Sequence, residues 1–543
     1  MRYLRPVQIY GRIWHKLFRP IIDTSPSPSV HSGRGLWVLP ARRKPSLLSP
    51  SLFRFLNEER ALVAVKDWDD PDVIKLWRYN LHYFDDLNAE ECESRVIWHR
   101  DLLKRWVQEN PFAVGTGWEP YPTSLRIVNW IKWVLAGNVL PPECLHSLVI
   151  QIRWLCRRLE THLLGNHLFA NAKALLFAGL FFRGDEAELW LNKGMGLLAR
   201  EIPEQILADG GQFERSTMYH SLTLEDMLDL SNVTAAFRQA IPKRWILVVE
   251  GWRQVVERMR YWAAVMCHPD GEISFFNDSA IDIAPSPNVL NDYASRLGFS
   301  LMQTIDDGLM HLKESGYIRL QKGQMVALLD VAPVGPDYLP GHAHADTLSF
   351  ELSLFKQRLL VNSGTSCYGT GKERLRQRST AAHNTVVVDG QDSSEVWGGF
   401  RVARRARPSI PIIRNQASLL SVAVSHDGYR RLPGRNVHRR QWYYCNNCLV
   451  VEDEVTGSFL DAEARFHLHP EVKVDSHQLR EGHALLLLPQ GQEVDFFVKE
   501  GKLQVVATTW HPCFGLSQPN LCLVVKFRSP KAKSVFVWQG GIT

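Results

Sequence analysis

The sequence has no apolar run of the length that a membrane-spanning helix requires. Its best candidate, residues 174–182, has nine residues, whereas a helical span needs about 20. We therefore predict no integral membrane span. The first residues are basic but lack the apolar core of a cleavable signal peptide, so none is predicted. Trp14, Leu17 and Phe18 leave two interpretations open for this basic start: an interfacial helix with the three side chains on one face, or a packed or frayed segment.

Cysteine gives no sign of a disulfide framework. The chain has nine Cys, an odd number, and only Cys445 and Cys448 form a CxxC pair. A zinc ribbon would need a second pair at matching spacing. Because Asn446 and Asn447 separate two β-rich runs, we interpret this segment as the turn of a hairpin.

The composition excludes a disordered chain and a small disulfide-stabilised scaffold. Of the 543 residues, 45% are hydrophobic and 22% are charged, which is typical of a globular protein with substantial cores. This length predicts about two to four domains. The 18 Trp residues suit large cores and also surfaces that stack on sugar rings. We find no repeat of fixed period and no low-complexity segment.

Residues from about 95 to 300 carry the periodicity of amphipathic helices. Apolar side chains recur there every three or four positions, and Gly, Pro or Asp occupies the short connections. The predicted helices are 96–107, 124–135, 145–164, 167–182, 186–201 and 243–266. Paired helices without strands predict a bundle, a solenoid or a helical toroid.

From about residue 311 the pattern changes to short runs rich in Val, Leu, Phe and Tyr. The predicted strand regions are 317–331, 348–362, 385–389, 442–455, 464–468, 484–488, 503–508, 522–527 and 534–538. Strands that follow one another without helices predict a large antiparallel sandwich. We expect a multidomain chain with an α part followed by a β part. Residues 1–94 form an extension with the first helices, 95–310 the helical domain and 311–543 the sandwich.

The most specific local signal is the run GHAHAD at 341–346. If the run is extended, His342, His344 and Asp346 lie on one face. Two histidines at i and i+2 suit a borderline metal such as zinc. The alternative is a hydrogen-bonded polar turn.

Three other segments carry candidate functional residues. Asn362 ends a predicted strand at a Gly turn, and His383 immediately precedes another strand. Asn166 opens an apolar helix, where it is either the helix N-cap or a functional residue. Tyr219 and His220 lie in a polar stretch that is either an acid/base pair or the start of an amphipathic helix.

Arginine is concentrated in residues 374–440. The stretch holds 13 Arg, no Lys and four acidic residues, so its formal charge is +9, whereas the chain as a whole carries +6. Guanidinium groups suit planar carboxylate and sulfate groups. We interpret the stretch as a contact surface for an anionic glycan, with solvated strand edges and loops as the alternative. No nucleic-acid-binding motif is recognised, so no nucleic-acid partner is predicted.

In their order along the chain, these clusters resemble those of the heparinase II/III-like polysaccharide lyases. The resemblance covers most of the chain and rests on WRYNLHY at 77–83, GNH at 165–167 with Asn171 and Lys173, DGGQFERS at 209–216 followed by Tyr219 and His220, GHAHAD at 341–346, NSGT at 362–365 and HNTV at 383–386. It implies an incomplete (α/α) toroid followed by a large antiparallel β-sandwich.

The resemblance also implies β-elimination at a uronic acid, which leaves a 4,5-unsaturated uronate end. The C5 proton is barely acidic, so the neighbouring carboxylate must be neutralised; the matching residues are Asn166 and His167. Tyr219 matches the family's acid or base, His342 matches a histidine opposite it, and Tyr368 is the nearest candidate for a second tyrosine. A tyrosine base needs a pKa below about 10, which nearby Arg and His⁺ charges favour.

The resemblance implies further roles in substrate and metal binding. The substrate-binding candidates are Arg78, Trp118, Arg215, His220, Arg374, Arg378 and Arg439. Family members often carry a structural zinc, and the matching positions are His344, Asn362 and His383. An amide oxygen is a poorer zinc ligand than the family's carboxylate. A water or Asp346 therefore completes the site, or the metal is weak or absent. No organic cofactor is implied.

Two other functions fit parts of the pattern. The spacing of His342, His344 and Asp346 also resembles the core of metallo-β-lactamase-like zinc hydrolases, although Thr347 stands where a further His is usual. A non-catalytic glycan-binding or polysaccharide-assembly factor on a lyase scaffold would use the same arginines and tryptophans. The resemblance implies a periplasmic or secreted lyase for a glycosaminoglycan, an alginate-like polymer or a bacterial exopolysaccharide. Because no signal peptide is recognised, a cytoplasmic location is the alternative, and the oligomeric state is left open.

Overall fold

The computed structural model describes residues 3–302, 304–416, 419–475 and 479–539. The chain folds into two compact units, and each unit consists of three separate segments of the sequence. The first unit comprises Met1–Ile206, Leu222–Arg258 and Asn288–Leu301, and the second comprises Leu207–Ser221, Met259–Pro287 and Met302–Thr543. The predicted domains, in contrast, are continuous stretches of sequence that meet near residues 94 and 310. These boundaries along the sequence stay a prediction.

The first unit is mainly helical. The α-helices of the described chain are α1 (Pro6–Leu17), α2 (Lys75–Tyr83), α3 (Val96–Glu109), α4 (Pro120–Leu135), α5 (Pro142–Arg157), α6 (Gly165–Phe181), α7 (Asp185–Gln205), α8 (Thr217–Ala236), α9 (Ile246–Met266), α10 (Pro287–Arg296) and α11 (Lys372–Arg378). Each of the six predicted helical regions contains a helix. Helix α5 ends at Arg157, before the predicted limit at residue 164, because Arg158 leaves helical geometry (φ −126°, ψ 29°) and the N–H of Glu160 donates instead to Oδ1 of Asn171 at 2.8 Å. Within the described residues, no helix is both long and apolar enough to cross a membrane.

Helices α6 and α7 pack closely because glycines lie at their contact. A Cβ atom at Gly179 of α6 would lie 2.4 Å from the backbone nitrogen of Leu191. A Cβ atom at Gly194 of α7 would lie 2.8 Å from the backbone nitrogen of Leu176. These distances leave no room for a side chain. The apolar helix α6 is therefore buried on nearly all sides.

The strands form antiparallel sheets. They are β1 (Leu47–Ser49), β2 (Leu52–Phe55), β3 (Glu58–Ala61), β4 (Gly308–Leu312), β5 (Tyr317–Lys322), β6 (Met325–Asp330), β7 (Phe350–Leu354), β8 (Gln357–Leu360), β9 (Val386–Val388), β10 (Val396–Trp397), β11 (Arg401–Val402), β12 (Ile412–Gln416), β13 (Leu419–His426), β14 (Val437–Cys445), β15 (Cys448–Thr456), β16 (Ala462–His467), β17 (Lys473–Asp475), β18 (His483–Leu487), β19 (Glu493–Glu500), β20 (Lys502–Trp510), β21 (Gln518–Lys526) and β22 (Lys531–Trp538). Strands β1–β3 form a small sheet in the first unit.

Three sheets of the second unit enclose one apolar core. Their strand orders are β4-β5-β6-β7-β8, β12-β13-β14-β15-β22-β19-β18-β17 and β20-β21-β16-β9. Phe350 of the first sheet packs against Trp442 of the second, with ring centroids 6.1 Å apart, and against Phe466 of the third, at 6.2 Å. Alternating side chains of the strands fill the space between the sheets. The predicted antiparallel sandwich is therefore confirmed.

Two details of the sandwich bear on the sequence predictions. Cys445 and Cys448 are opposite each other at the end of the β14–β15 hairpin. Asn446 and Asn447 both have positive φ, 48° and 56°, as a type I′ turn requires. The hairpin interpretation of the CxxC pair is therefore confirmed. The expectation of strands without intervening helices is wrong in one place, because α11 lies between β8 and β9.

Candidate active site

The GHAHAD run at 341–346 forms a turn and an irregular segment, not a strand. Its backbone is held by hydrogen bonds within the second unit: the N–H of Asp278 donates to the carbonyl of His342 (2.9 Å), and the N–H of His344 donates to Oδ1 of Asn277 (3.1 Å). The run is therefore not extended, and the alternative interpretation, a hydrogen-bonded polar turn, describes it. The two histidines have different partners.

Three side chains of the second unit cluster at the candidate active site. The phenol oxygens of Tyr219 and Tyr368 lie 3.0 Å apart. The imidazole of His342 stacks on the ring of Tyr219, with centroids 3.9 Å apart and planes 15° from parallel. The structure therefore brings together three of the five side chains that we predicted to be catalytic.

Tyr219 lies in the first turn of α8. Its N–H donates to Oγ of Ser216 at 3.1 Å, as at a capped helix start. The preceding residue, Arg215, has a left-handed φ of 63°. Its carbonyl accepts hydrogen bonds from the Tyr317 hydroxyl at 2.7 Å and from Nδ2 of Asn277 at 2.9 Å. Such strained backbone persists only where neighbouring groups fix it, and here it sets the direction in which the helix begins.

A buried carboxylate orients His342. Oε2 of Glu214 lies 2.6 Å from Nδ1 of the imidazole, and Glu214 is only 2% exposed. The fully buried Gln212 fixes the carboxylate in turn: its Oε1 accepts the N–H of Glu214 at 2.9 Å, and its Nε2 donates to Oε1 of Glu214 at 3.3 Å. A carboxylate accepts hydrogen bonds, so Nδ1 of His342 carries a proton and Nε2 is the nitrogen left for chemistry.

An ion pair lies beside Tyr368. Arg374 is 1% exposed and forms a bidentate pair with the buried carboxylate of Asp278, with Nη2 donating to Oδ2 at 2.7 Å. The guanidinium carbon lies 5.0 Å from the centroid of the Tyr368 ring. Burial alone would raise the pKa of Asp278, but Arg374 and His344 hold it far below its usual range. The pair is therefore charged on both sides.

The pKa of Tyr368 moves in the direction opposite to the one that a tyrosine base needs. Burial raises it well above 10, the Asp278 carboxylate raises it further, and Arg374 only partly opposes both. The expected help from arginine is weak because Asp278 neutralises that guanidinium. Tyr368 therefore keeps its proton and acts as a hydrogen-bond donor.

Asn166 and His167 lie in the first unit, in the first turn of α6. Leu164 occupies the N-cap position, so the N-cap interpretation of Asn166 is wrong, and its side chain hydrogen-bonds Tyr121 instead. Nδ1 of His167 contacts Oε1 of Glu160 at 3.0 Å, and its ring stacks on Tyr121 with centroids 4.5 Å apart. Burial opposes ionisation of Glu160, but His167 holds its pKa below the usual value. This carboxylate orients His167 as Glu214 orients His342.

Two family models match the chain. The model described as heparinase II/III N-terminus matches residues 90–298, and the model described as heparinase II/III-like, C-terminal, matches residues 305–539. Together they cover well over half of the chain. The chain belongs to the heparinase II/III-like family.

Relatives of this heparinase II/III-like chain include proteins named heparin-sulfate lyase. The one from Bacteroides stercoris is 25% identical over 391 residues, which are 66% of this chain and 54% of the relative. The one from Pedobacter heparinus is 23% identical over 361 residues, 58% of this chain and 53% of the relative. The chain thus matches about half the length of these relatives.

Solved structures share the fold of the heparinase II/III-like chain. A structure of heparinase III has a TM-score of 0.68 at 19% identity and covers 87% of this chain and 79% of its own. A mutant heparan sulfate lyase from Pedobacter heparinus has a TM-score of 0.61 at 17% identity and covers 99% and 88%. The predicted order of an (α/α) toroid followed by a β-sandwich is therefore confirmed.

The side chains predicted to hold zinc form a poor metal site. Nδ1 of His344 faces Nε2 of His383 at 3.0 Å, and burial lowers the pKa of His344 to about 4, so that imidazole is neutral. Asn362, however, accepts the N–H of Asn384 through its amide oxygen at 3.1 Å. Among the described residues, no three His, Cys, Asp or Glu side chains are grouped to hold a metal. The donors do not fit the predicted zinc.

The carboxylate nearest to this histidine pair is already engaged. Asp278 accepts from Nε2 of His344 at 2.8 Å and is paired with Arg374. Asp346, which we considered as a completing ligand, accepts the N–H of Asn277 through Oδ2 at 3.2 Å. His342, His344 and Asp346 thus have separate partners and do not converge as the metallohydrolase interpretation requires.

The arginine stretch contains both buried and exposed side chains. Seven of its 13 Arg are exposed, at 401, 404, 407, 414, 430, 435 and 439, so the contact surface that they would form stays a prediction. Arg374, Arg378 and Arg440 are at most 1% exposed. Arg378 donates to the carbonyls of Ala343 at 2.8 Å and Gly398 at 3.0 Å. Guanidinium groups that are buried and already hydrogen-bonded are not available to bind a polysaccharide. The predicted substrate contacts of Arg374 and Arg378 are therefore wrong. Arg439 is exposed, and its contact stays a prediction.

Two other predicted contact residues are interior side chains. Trp118 is 3% exposed and packs against Trp106, with ring centroids 5.7 Å apart. His220 is 1% exposed, its Nε2 contacts the carbonyl of Met259 at 2.9 Å, and its ring packs on Trp262 at 4.2 Å. The prediction that either contacts substrate is wrong, because their surfaces are covered by the core.

Two arginines from the same set are partly exposed. Nη1 of Arg78 donates to Oδ1 of Asp69 at 2.6 Å. Nε of Arg215 donates to the carbonyl of Ser315 at 2.9 Å. Neither arrangement covers the guanidinium completely, so their substrate contacts stay predictions.

Sequence reasoning missed the side chains that orient the candidate catalytic groups. Glu214 lies in the DGGQFERS motif on which the resemblance rests. The motif did not indicate that its carboxylate contacts His342. Asp278 gave no signal, because it lies 96 residues from Arg374 and 66 from His344. Only the fold brings these charges together.

Proposed function

We propose that this chain is a polysaccharide lyase that cleaves a uronic-acid-containing polymer by β-elimination. The observation that carries the proposal is the cluster of Tyr219, Tyr368 and His342, in which one imidazole nitrogen is anchored and two phenols are hydrogen-bonded. It supplies a proton acceptor and a proton donor on adjacent side chains, as elimination across C4 and C5 requires.

His342 suits the role of base. Its Nδ1–H is held by Glu214 at 2.6 Å, so the neutral imidazole has its lone pair on Nε2. Nε2 takes the C5 proton, and the electron pair of the C5–H bond forms the C4–C5 double bond. Tyr368 is less suited to this role, because burial raises its pKa.

Tyr219 suits the role of acid. As the C4–O bond breaks, the phenol gives its proton to the departing oxygen, and the phenolate that remains is stabilised by the hydroxyl of Tyr368 at 3.0 Å. Transfer of the proton held by His342 back to Tyr219 restores both groups. No water is consumed, and the products are an unsaturated uronate end and a free hydroxyl.

Neutralisation of the substrate carboxylate is assigned to Asn166 and His167 by the family resemblance. The support within the first unit is local: Glu160 lies 3.0 Å from Nδ1 of His167 and orients its imidazole. The role of both residues is part of the proposal.

A glycosaminoglycan is the proposed substrate class. The support is that the relatives from Bacteroides stercoris and Pedobacter heparinus are named heparin-sulfate lyase. Sequence identity of 25% or less leaves the particular polymer to be found by experiment.

The deciding experiment follows the ultraviolet absorbance of a new unsaturated uronate with heparan sulfate, hyaluronan, alginate and bacterial exopolysaccharides as substrates. We expect turnover with at least one glycosaminoglycan. Tyr219→Phe serves as the matched control, since it removes one hydroxyl. If the folded protein binds a polyuronate tightly and never produces the absorbance, the lyase proposal would be replaced by the alternative of a non-catalytic glycan-binding factor.

A further inference from the structure

Helix α1 (Pro6–Leu17) packs on the first unit through its small and polar side. Gln8 is 3% exposed and Gly11 is buried. A Cβ atom at Gly11 would lie 2.9 Å from Cβ of His162, so glycine permits this close approach. The imidazole of His15 stacks on that of His162 with centroids 4.5 Å apart. In a water-soluble protein, the apolar side of a surface helix normally faces the core, and here the arrangement is reversed.

The outward side of α1 is apolar. Its exposed side chains, with their fractional exposure, are Ile9 (45%), Tyr10 (62%), Ile13 (57%), Trp14 (62%) and Leu17 (79%). At about 100° per residue these five positions fall within an arc of about 140°. Beyond the helix, Phe18 stacks on Trp14 at 4.8 Å, and Ile21 is 85% exposed. Contiguous exposed apolar side chains of this kind mark an interaction surface.

The charge around this apolar arc has one sign. Residues 1–22 include five Arg or Lys and no Asp or Glu. Arg12 and Lys16 lie at one border of the arc, Arg19 follows the helix, and all three are exposed. Nη1 of Arg158 donates to the carbonyl of His15 at 2.7 Å and adds a cation at the helix C-terminus. Glu204, an acid close to the helix, is paired with Arg5.

We propose that α1 is an interfacial helix that docks the protein on an anionic lipid surface. Aromatic rings such as Tyr10 and Trp14 suit the boundary between headgroups and acyl chains, and bordering cations suit anionic headgroups. A second copy of the chain fits less well, because mutual contact of two such faces would bring Arg12, Lys16 and Arg19 of both copies together without an acid in either segment.

The test is sedimentation of the full chain with vesicles of phosphatidylcholine alone or with about 30 mol% phosphatidylglycerol. We expect binding to the anionic vesicles that weakens at high salt. Arg12→Gln/Lys16→Gln/Arg19→Gln should lower the affinity about a hundredfold, since each charge is worth about fivefold. Ile9→Gln/Ile13→Gln/Leu17→Gln should lower it more than about tenfold.

A matched control replaces scattered exposed apolar residues. Leu301→Gln/Ile410→Gln/Leu460→Gln removes side chains that are 83%, 89% and 99% exposed, and it should bind as the unaltered protein does. All three triple variants should keep the unaltered melting temperature, because every altered side chain is exposed. Quenching of tryptophan fluorescence by bromine-labelled lipids should diminish in Trp14→Phe.

Three outcomes overturn the proposal. The first is the absence of binding to anionic vesicles at low salt, and the second is binding that the Ile9→Gln/Ile13→Gln/Leu17→Gln variant retains. The third is concentration-dependent self-association that this variant abolishes while vesicles bind neither protein, which would assign the face to a second copy. None of these measurements depends on the proposed lyase activity.

Discussion

Nδ1 of His342 lies 2.6 Å from Oε2 of Glu214, a carboxylate that is only 2% exposed. Gln212 fixes this carboxylate by hydrogen bonding. The imidazole is therefore oriented through Nδ1, and the rings of Tyr219 and Tyr368 lie beside it. This relationship decides which imidazole nitrogen is available for chemistry, and it makes Glu214 a positioning residue.

We expect Glu214→Gln to lower kcat about 100-fold with little change in KM, because an amide does not enforce protonation at Nδ1. Steady-state kinetics on the best polyuronate measures the two constants separately. Glu214→Asp keeps the charge and should recover part of kcat. The control is Glu395→Gln, whose carboxylate pairs with the exposed Arg404. A fall in the melting temperature that accounts for the lost activity would reduce Glu214 to a structural role.

Tyr219→Phe and Tyr368→Phe separate the two phenols. We expect the first to lower kcat about 10³-fold, because it removes the proton donor. We expect the second to lower kcat about tenfold, because it removes one hydrogen bond to the phenolate. Absorbance assays at equal concentrations of folded protein measure both. Turnover by Tyr219→Phe at the unaltered rate would refute the acid role, and equal losses in the two variants would contradict the division of roles.

Much of the architecture could be predicted because the helices and strands follow from the local spacing of apolar residues. The apolar spacing of α3, α4, α6, α7 and α9 and the β-rich runs of the sandwich are signals within a few residues of one another. Strand β13 was missed although Leu420, Val422 and Val424 alternate with Ser421, Ala423 and Ser425 at the period of a strand. The small side chains of Ser421 and Ala423 are buried there by neighbouring strands, which the local sequence does not reveal.

The sequence indicated the candidate reactive side chains of the site but not the residues that orient them. Tyr219 and His342 stand in motifs that carry the family resemblance, and Tyr368 was the nearest candidate for a second tyrosine. Asp278 meets Arg374 and His344 only through tertiary structure, whereas Glu160 lies seven residues before its partner His167 and carried no motif of its own. The error at Arg374 and Arg378 concerned burial: sequence charge could not distinguish an exposed guanidinium from one buried against a carboxylate, as Arg374 is against Asp278.

We expect Asn362→Asp to retain more zinc than the unaltered chain, because it restores a carboxylate at the position that the family resemblance assigns to the metal and keeps an oxygen for the N–H of Asn384. Elemental analysis after dialysis measures the metal content, and the melting temperature with added zinc measures its effect on the fold. Asn384→Asp is the control, since Asn384 directs its amide group to the carbonyl of Phe350 instead. A full equivalent of zinc in the unaltered chain would contradict the poor fit of the donors.

Arg440 and Asp453 test whether buried arginine serves stability. Nε and Nη2 of Arg440 donate to the two carboxylate oxygens of Asp453 at 2.7 and 2.9 Å, and both side chains are buried. Removing one partner leaves an uncompensated charge, so Asp453→Asn should lower the free energy of unfolding by about 3 kcal/mol at neutral pH. Urea denaturation measures this difference, with the 53%-exposed Asp461 as the control position for an Asp→Asn change.

The same pair gives the stability a defined dependence on pH. Burial opposes ionisation of Asp453, but Arg440 and His438 lower its pKa from 3.8 to about 2. A carboxyl group whose pKa is lowered on folding stabilises the protein above its unfolded value and loses that contribution as the pH falls through its folded value. The difference in stability between the unaltered chain and Asp453→Asn should therefore be constant above about pH 4 and shrink between about pH 4 and 2. A difference that stays unchanged across this range would show that the carboxylate charge contributes nothing.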